Sequence, residues 1–151
     1  MQLDDEDYEW LNQHFWWVNI INGNSYVFRD VWEENNEKRI YMHRVILGLT
    51  EEDKVLVDHK DMNGLNNQKS NLRECTATQN GQNRPKNRNN TSGYKGVCYR
   101  KDSPKTPWTA RIVVNGKQTS LGLFSDPGSA SEAYKQAALK YHGEFANTGE
   151  A

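Results

Sequence analysis

A polar segment at residues 84–93 divides this chain into two short blocks and so limits what it can fold into. The segment holds three basic residues and three asparagines but no large apolar side chain. Such a composition predicts an extended linker. The flanking blocks, residues 1–83 and 94–147, are small, and small domains bury a limited share of their surface. The sequence therefore predicts two compact domains with thin cores.

The composition is polar. Apolar residues make up 35% of the chain, and the mean hydropathy is −0.98. No apolar run approaches the roughly 20 residues of a membrane span, and the acidic N-terminus lacks the layout of a signal peptide. We therefore expect a cytoplasmic protein with no membrane partner. The two cysteines, Cys75 and Cys98, have no metal-ligand spacing and are expected to be core residues.

Charge is distributed unevenly along the chain. Residues 1–60 hold 6 Lys and Arg against 13 Asp and Glu, and residues 61–151 hold 13 against 7. Within residues 84–117 the basic residues number 9 and the acidic residues 1. Clustered cations favour a nucleic-acid phosphate backbone, although a solvated basic linker explains the charge equally well.

The sequence of the first block predicts a β-rich part over residues 1–54. Residues 55–83 follow and contain most of the candidate catalytic and metal-ligating residues. Aromatic and β-branched runs predict three strands, and His43–Gly48 predicts a short helix. After residue 54 the pattern is strand, loop rich in Asn and Gly, second strand, and a helix that starts at Thr76 with the form of a capping box.

The second block predicts a three-stranded antiparallel sheet packed on one helix. Strands are expected over 96–100, 108–114 and 117–124, and Asn115-Gly116 favours a type I′ hairpin turn. A helix is expected over 129–142, with Tyr134 and Tyr141 among its apolar positions. The fold class of the whole chain is therefore predicted as α+β.

One constellation in the first block suggests hydrolysis of phosphodiesters. Asp58-His59 lies at a strand end, Asn71 follows twelve residues later, and Asn80 lies in the next helix. An imidazole can accept a proton near neutral pH, and hard oxygen donors suit Mg²⁺ or Mn²⁺. Asn80 is placed to supply one such oxygen to a cation.

This constellation resembles the HNH nucleases, in particular the homing endonucleases of phages and mobile introns. The resemblance implies a β-hairpin, helix and metal (ββα-metal) core, with His59 as general base and Asp58 as metal ligand. It implies Asn71 as the residue that orients His59 and braces the loop, and Asn80 as second metal ligand, where many relatives carry His. It also implies a phage-encoded protein or one of a bacterial cytosol. Paired Cys-x-x-Cys motifs are absent, so we predict one Mg²⁺ or Mn²⁺ and no structural zinc.

Three further residues near the constellation have two interpretations each. His43 either assists near the scissile phosphate as an auxiliary residue or hydrogen-bonds within the fold. Arg44 and Arg73 either clamp phosphates, for which the planar guanidinium is suited, or form solvated salt bridges.

The second block resembles the ethylene-response-factor (Apetala-type) DNA-binding domain of plants. The resemblance extends from Ser92 to Ala146 and implies a sheet that enters the major groove of double-stranded DNA. Alternation along the strands predicts Tyr99 on the side of the helix. The basic side chains expected to contact DNA lie in the linker and on this domain: Arg84, Lys86, Arg88, Lys95, Arg100, Arg111 and Lys117.

Two functions are compatible with these patterns. The first is a metal-dependent DNA endonuclease, targeted by its C-terminal sheet, that nicks DNA or cuts both strands. The alternative is a non-catalytic DNA-binding regulator that uses a degenerate HNH scaffold, which the neutral Asn80 and the acidic first third favour. The oligomeric state is not predicted by the sequence. A further possibility is that the chain is a fragment.

Overall fold

The computed structural model describes residues 1–34 and 36–149, which form a mixed α/β fold with antiparallel sheets. The chain divides into two compact units, Met1–Ala77 and Thr78–Ala151. The sequence predicted the first domain to end at residue 83. The polar segment 84–93 lies within the range of the second unit, and its role as a linker between domains stays a prediction.

The first unit contains two antiparallel sheets and two short helices. Strands β1, β2 and β3 form one sheet in that order, and β4 pairs with β5 in a hairpin. Asn22 and Gly23 both adopt positive φ, as a type I′ turn between β1 and β2 requires. The elements are α1 (Asp5–Leu11), β1 (Trp17–Ile21), β2 (Asn24–Glu33), β3 (Asn36–Tyr41), α2 (Met42–Ile46), β4 (Leu56–His59) and β5 (Leu72–Cys75).

Helix α1 was not predicted, because its acidic sequence carries no helical apolar stripe. Leu11 at its end is buried, however, and joins the core of the first unit. That core combines one or two side chains from each of several elements. Its buried members are Leu11, Val27, Met42, Ile46 and Leu72.

The second unit follows the predicted element order closely. Helix α3 (Ala77–Gln82) begins directly after Thr76, as expected, and crosses the division between the units. Strands β6, β7 and β8 form an antiparallel sheet in that order, and Asn115 and Gly116 adopt positive φ at the predicted turn. The elements are β6 (Val97–Tyr99), β7 (Trp108–Val114), β8 (Lys117–Phe124), α4 (Pro127–His142) and a 3₁₀ turn (Gly143–Phe145).

Helix α4 covers one face of this sheet. Asp126 caps it by accepting a hydrogen bond from the Ser129 backbone N–H at 2.8 Å. Tyr141, predicted among the apolar positions of this helix, is 48% exposed. The buried members of this core are Val97, Ala110, Ile112, Ala130, Tyr134, Ala137 and Ala138.

Two further observations concern the predicted class of the protein. No helix among the described residues is both long and apolar enough to cross a membrane. Neither cysteine forms a disulfide within the described residues, and Cys75 is buried as expected. Cys98 is exposed, so the prediction that both are core residues was wrong for Cys98.

Candidate functional site

The β4–β5 hairpin presents Asp58 and His59 at its end. Asp58 pairs with Arg73 across the hairpin and His59 pairs with Leu72. Both polar residues are only 6% exposed. Successive strand residues point to opposite faces, so the carboxylate and the imidazole of this pair meet different neighbours.

Asp58 forms a buried ion pair with Arg73. The Arg73 Nε and Nη2 atoms donate to Asp58 Oδ2 at 2.9 and 2.6 Å, and both side chains are at least nine-tenths buried. Removing one member would leave the other buried charge uncompensated. Arg73 was one of the residues considered as a phosphate clamp. The structure gives its guanidinium a place inside the protein, beside the predicted metal ligand.

His59 lies against the side chain of Asn67. The distance between His59 Nε2 and Asn67 Oδ1 is 3.4 Å, at the long end of a hydrogen bond, and Asn67 is completely buried. Burial lowers the pKa of His59, while the Asn67 contact and the charges of Asp61 and Asp58 oppose this shift. The ring is therefore neutral at neutral pH and able to accept a proton.

Two other rings contact His59, and a third stacks on one of them. The ring centroids of His43 and Tyr26 lie 5.3 and 6.3 Å from that of His59. His43 also stacks on Tyr41, with 5.6 Å between centroids. Burial, and then the neighbouring His59 and Arg44, lower the pKa of His43 to about 3. The sequence left the role of His43 open, and the structure places it in contact with the predicted general base.

The buried His43 ring has one unsatisfied nitrogen. Its Nδ1 atom has no hydrogen-bond partner, and the residue is only 8% exposed. Leaving a buried polar atom unpaired costs free energy, so such a group in a native fold calls for an explanation. A neutral His43 so close to His59 fits the auxiliary interpretation, which stays a prediction.

Asn71 organises the loop that joins the two strands. Its Nδ2 donates to Asp61 Oδ1 at 2.9 Å and to the Asn66 carbonyl at 2.8 Å, and its Oδ1 accepts from the Asp61 backbone N–H. Asn66 in turn donates to Asp61 Oδ2 at 2.8 Å. These bonds are of the kind expected for a loop brace. The contact with the His59 ring described above is made by Asn67, a residue that was not among the predicted site residues.

The N-terminal segment is attached to the same loop. The Gln2 backbone N–H donates to Leu65 O at 2.8 Å, and its carbonyl accepts from the Asn67 N–H at 2.9 Å. Asp4 accepts from the Lys69 backbone N–H, and the Lys69 ammonium pairs with Glu6 at 2.6 Å. Acidic residues that appeared unfavourable for binding DNA thus hold the loop that carries Asn67.

Arg44 is half-buried and hydrogen-bonded within the first unit. Its guanidinium donates to the backbone carbonyls of Val55, Thr50 and Asp53. Arg44 thereby stabilises the connection between α2 and β4. The guanidinium donors point at these carbonyls, and contact of Arg44 with a phosphate stays a prediction.

Asn80 lies on α3, beyond Ala77, and therefore in the second unit. The other candidate residues of the centre, His43, Asp58, His59 and Asn71, all lie in the first unit. The sharing of one cation by Asp58 and Asn80 stays a prediction. Among the described residues, no three His, Cys, Asp or Glu side chains are grouped as metal ligands.

The predicted DNA-contacting lysine at position 95 has a different role. Lys95 Nζ donates to the carbonyls of Gln82 and Arg84, at 2.9 and 2.6 Å, and burial lowers its pKa to about 8. The side chain is turned inward because it ties the polar segment to the sheet. Lys86 also donates to a carbonyl, that of Gly93, although it is exposed. Arg84 and Arg88 are exposed, as a contact with DNA would require.

The strand register decides which basic residues lie on the outer face of the second sheet. Arg111 pairs with Ser120, and both are exposed on the face away from α4. Lys117 pairs with Val114, which packs on the core, so alternation places Lys117 on the helix side of the sheet. Its predicted contact with DNA stays a prediction. Arg100 is bonded to the carboxylate of Asp102. Tyr99 pairs with Trp108, which packs on the core, so it lies on the predicted helix side of the sheet, although it is 55% exposed.

Comparison with known proteins gives one informative match. The chain is similar to an uncharacterized HNH endonuclease of Acanthamoeba polyphaga mimivirus, with 36% identity over 112 residues, or 72% of this chain. The match covers 56% of that relative, so the chain spans about half the length of the curated relative that it matches. No protein-family model and no solved structure matches the chain. The similarity supports a relation to the HNH nucleases.

Proposed function

We propose that this chain is a metal-dependent DNA endonuclease of the HNH type, in which His59 is the general base. The observation that carries the proposal is a buried, neutral imidazole at a hairpin end, adjacent in sequence to a buried carboxylate. The similarity to an HNH endonuclease supports the same reading. The proposal includes an enzyme of the homing type that either nicks DNA or cuts both strands.

Asn67 determines which nitrogen of His59 accepts the proton. With Asn67 Oδ1 as acceptor, His59 Nε2 carries its hydrogen and donates it to the amide. The Nδ1 atom is then the basic nitrogen. In the proposed reaction it takes a proton from the water that attacks the phosphorus, and the bond to the 3′ oxygen breaks.

The donor set suits a hard divalent cation. Asp58 would supply a carboxylate and Asn80 an amide oxygen, the donors that Mg²⁺ and Mn²⁺ prefer. When bound, such an ion would stabilise negative charge on the phosphate and on the leaving oxygen. Arg73 holds Asp58 Oδ2 at 2.6 Å and fixes the direction in which the carboxylate points. No structural zinc is proposed.

The second unit is proposed to bind double-stranded DNA through the outer face of its sheet, in the manner of the domain that it resembles. Cys98, Arg111, Val113, Gln118 and Ser120 are exposed there. The major groove is about 12 Å wide and admits β-strands. The exposed Arg84 and Arg88 add positive charge in the same unit.

The regulator hypothesis has one structural observation in its favour. Arg73 already neutralises Asp58 and so competes with a cation for the same carboxylate. A plasmid nicking assay distinguishes the two functions. We expect supercoiled plasmid to become nicked or linear with Mg²⁺ or Mn²⁺ and to stay intact with a chelator. We also expect Mg²⁺ to raise the unfolding temperature. Intact plasmid with both metals, together with normal DNA binding, would favour the regulator.

Replacing Arg111 with alanine tests the proposed DNA face. We expect weaker DNA binding and a slope of log affinity against log salt that is smaller by about 0.9, the value for one phosphate contact. Lys140→Ala is the matched control, since Lys140 is an exposed cation on α4, on the other side of the sheet. Fluorescence anisotropy at several salt concentrations measures both. Equal effects of the two substitutions would contradict the assignment of this face.

A further inference from the structure

Strand β1 forms one edge of the sheet in the first unit. It pairs with β2 on one side, and within residues 1–34 and 36–149 no strand pairs with its other side. An edge strand presents a row of backbone N–H and C=O groups that can pair with another chain. The opposite edge, β3, carries Glu37, Lys38 and Arg39, and such charges discourage pairing.

Strand β1 has no charged side chain or proline that would discourage pairing with another strand. Residues 15–28 include no charged side chain and no proline. Large apolar side chains of β1, and of Phe15 just before it, are exposed to solvent. Their exposed fractions are 89% for Phe15, 61% for Trp17, 56% for Val18, 69% for Ile20 and 39% for Ile21. An exposed apolar cluster of this kind indicates an interaction site.

The pattern of β1 is complementary to itself. When two copies run antiparallel about Asn19, Trp17 lies opposite Ile21 of the other copy, and Val18 lies opposite Ile20. The one polar residue, Asn19, then faces its own counterpart. A shift by one residue would place Asn19 opposite an apolar side chain. We infer that β1 is a homodimer interface, in which the β1 edges of two copies pair antiparallel into one six-stranded sheet.

A second copy fits this edge better than a nucleic acid does. The strand carries no cation, and residues 1–60 hold 13 acidic against 6 basic residues, so phosphate would be repelled. The exposed side chains offer on the order of 500 Å² per protomer, given the large area of each aromatic ring. That is less than the roughly 800 Å² per partner of a standard interface, so a reversible dimer is expected.

The dimer would bring together two hairpins with His59 at their ends. This consequence rests on the proposed nuclease function: two hydrolytic centres can cut both strands of a duplex in one encounter. The dimer itself does not depend on that function. Its test is a molecular mass, so a failure of the interface and a failure of the nuclease proposal are distinguishable.

Light scattering on the full chain, coupled to size exclusion, tests the interface. We expect the mass to rise from 17.5 kDa toward twice that value as concentration increases from about 1 to about 200 μM. Ile20→Lys adds the charge that protects natural edges and should hold the mass at the monomer value. Trp32→Lys is the matched control: Trp32 is 73% exposed on β2, outside the edge, so this variant should dimerise normally.

A cysteine pair tests the register. In a Cys98→Ser background, Asn19→Cys places two thiols opposite each other, within the distance that a disulfide spans. Ile21→Cys places its thiol opposite Trp17. We expect at least about fivefold more oxidised dimer from Asn19→Cys. A wild-type mass that stays monomeric at every concentration, an Ile20→Lys variant that still dimerises, or equal crosslinking at positions 19 and 21 would overturn the proposal.

Discussion

Replacing His59 with alanine is expected to slow DNA cleavage by about 10²- to 10⁴-fold, the usual contribution of a positioned general base. DNA affinity should not change, because the proposed DNA-binding face belongs to the second unit. Burial lowers the pKa of His59, so the wild-type ring is unprotonated at neutral pH and ready to accept a proton. Cleavage of a labelled duplex under single-turnover conditions measures the rate of the chemical step.

Two controls separate catalysis from folding in this experiment. His14→Ala removes an exposed imidazole and should cleave at the wild-type rate. His59→Asn keeps a polar group in the buried space between Tyr26 and His43 and should be folded but inactive. Added imidazole should restore part of the activity of His59→Ala. A His59→Ala variant that cleaves as fast as the wild type would show that His59 is not the base.

The sequence predicted the second unit better than the first. Asn115-Gly116 specifies a tight hairpin turn, and the flanking strands were predicted with the bounds that the structure shows. In the first unit, α1 was missed because Asp5, Glu6 and Asp7 resemble an acidic turn. The bonds from Gln2 and Asp4 to residues 65–69 explain why this polar segment is ordered. Those partners are more than 60 residues away, which local patterns do not reveal.

The side-chain roles were harder to predict than the elements. Arg44, Arg73 and Lys95 were grouped with the DNA-binding cations because charge is visible in a sequence. Their partners are backbone carbonyls and a buried carboxylate, and these are set by the fold. Asn67 was likewise one of several asparagines in a loop. Its complete burial would have distinguished it from Asn63 and Asn66, and no local spacing signals that burial.

Replacing Gly64 with alanine is expected to destabilise the first unit by about 3 kcal/mol, near the upper end of the usual cost of overpacking. The loss of stability comes from a steric clash, and not from a backbone conformation that alanine disfavours. A Cβ at Gly64 would overlap the carbonyl oxygen of Ser25 on β2 and lie 3.1 Å from its carbonyl carbon. Because the added Cβ has no rotational freedom and its partner is backbone, relief requires movement of the loop that carries Asn67. Cleavage should therefore also fall, since His59 would lose its contact with Asn67.

Gly81→Ala is the matched control, because Gly81 lies on α3 and no atom lies within 4 Å of its added Cβ. That change should leave stability unchanged or raise it by about 0.5 to 1 kcal/mol, through the better helix propensity of alanine. Thermal unfolding should show a loss of roughly 10 to 20 °C for Gly64→Ala only. If Gly64→Ala unfolds at the wild-type temperature, the loop does not pack against β2 as described. The approach of loop to strand that places Asn67 beside His59 would then need another explanation.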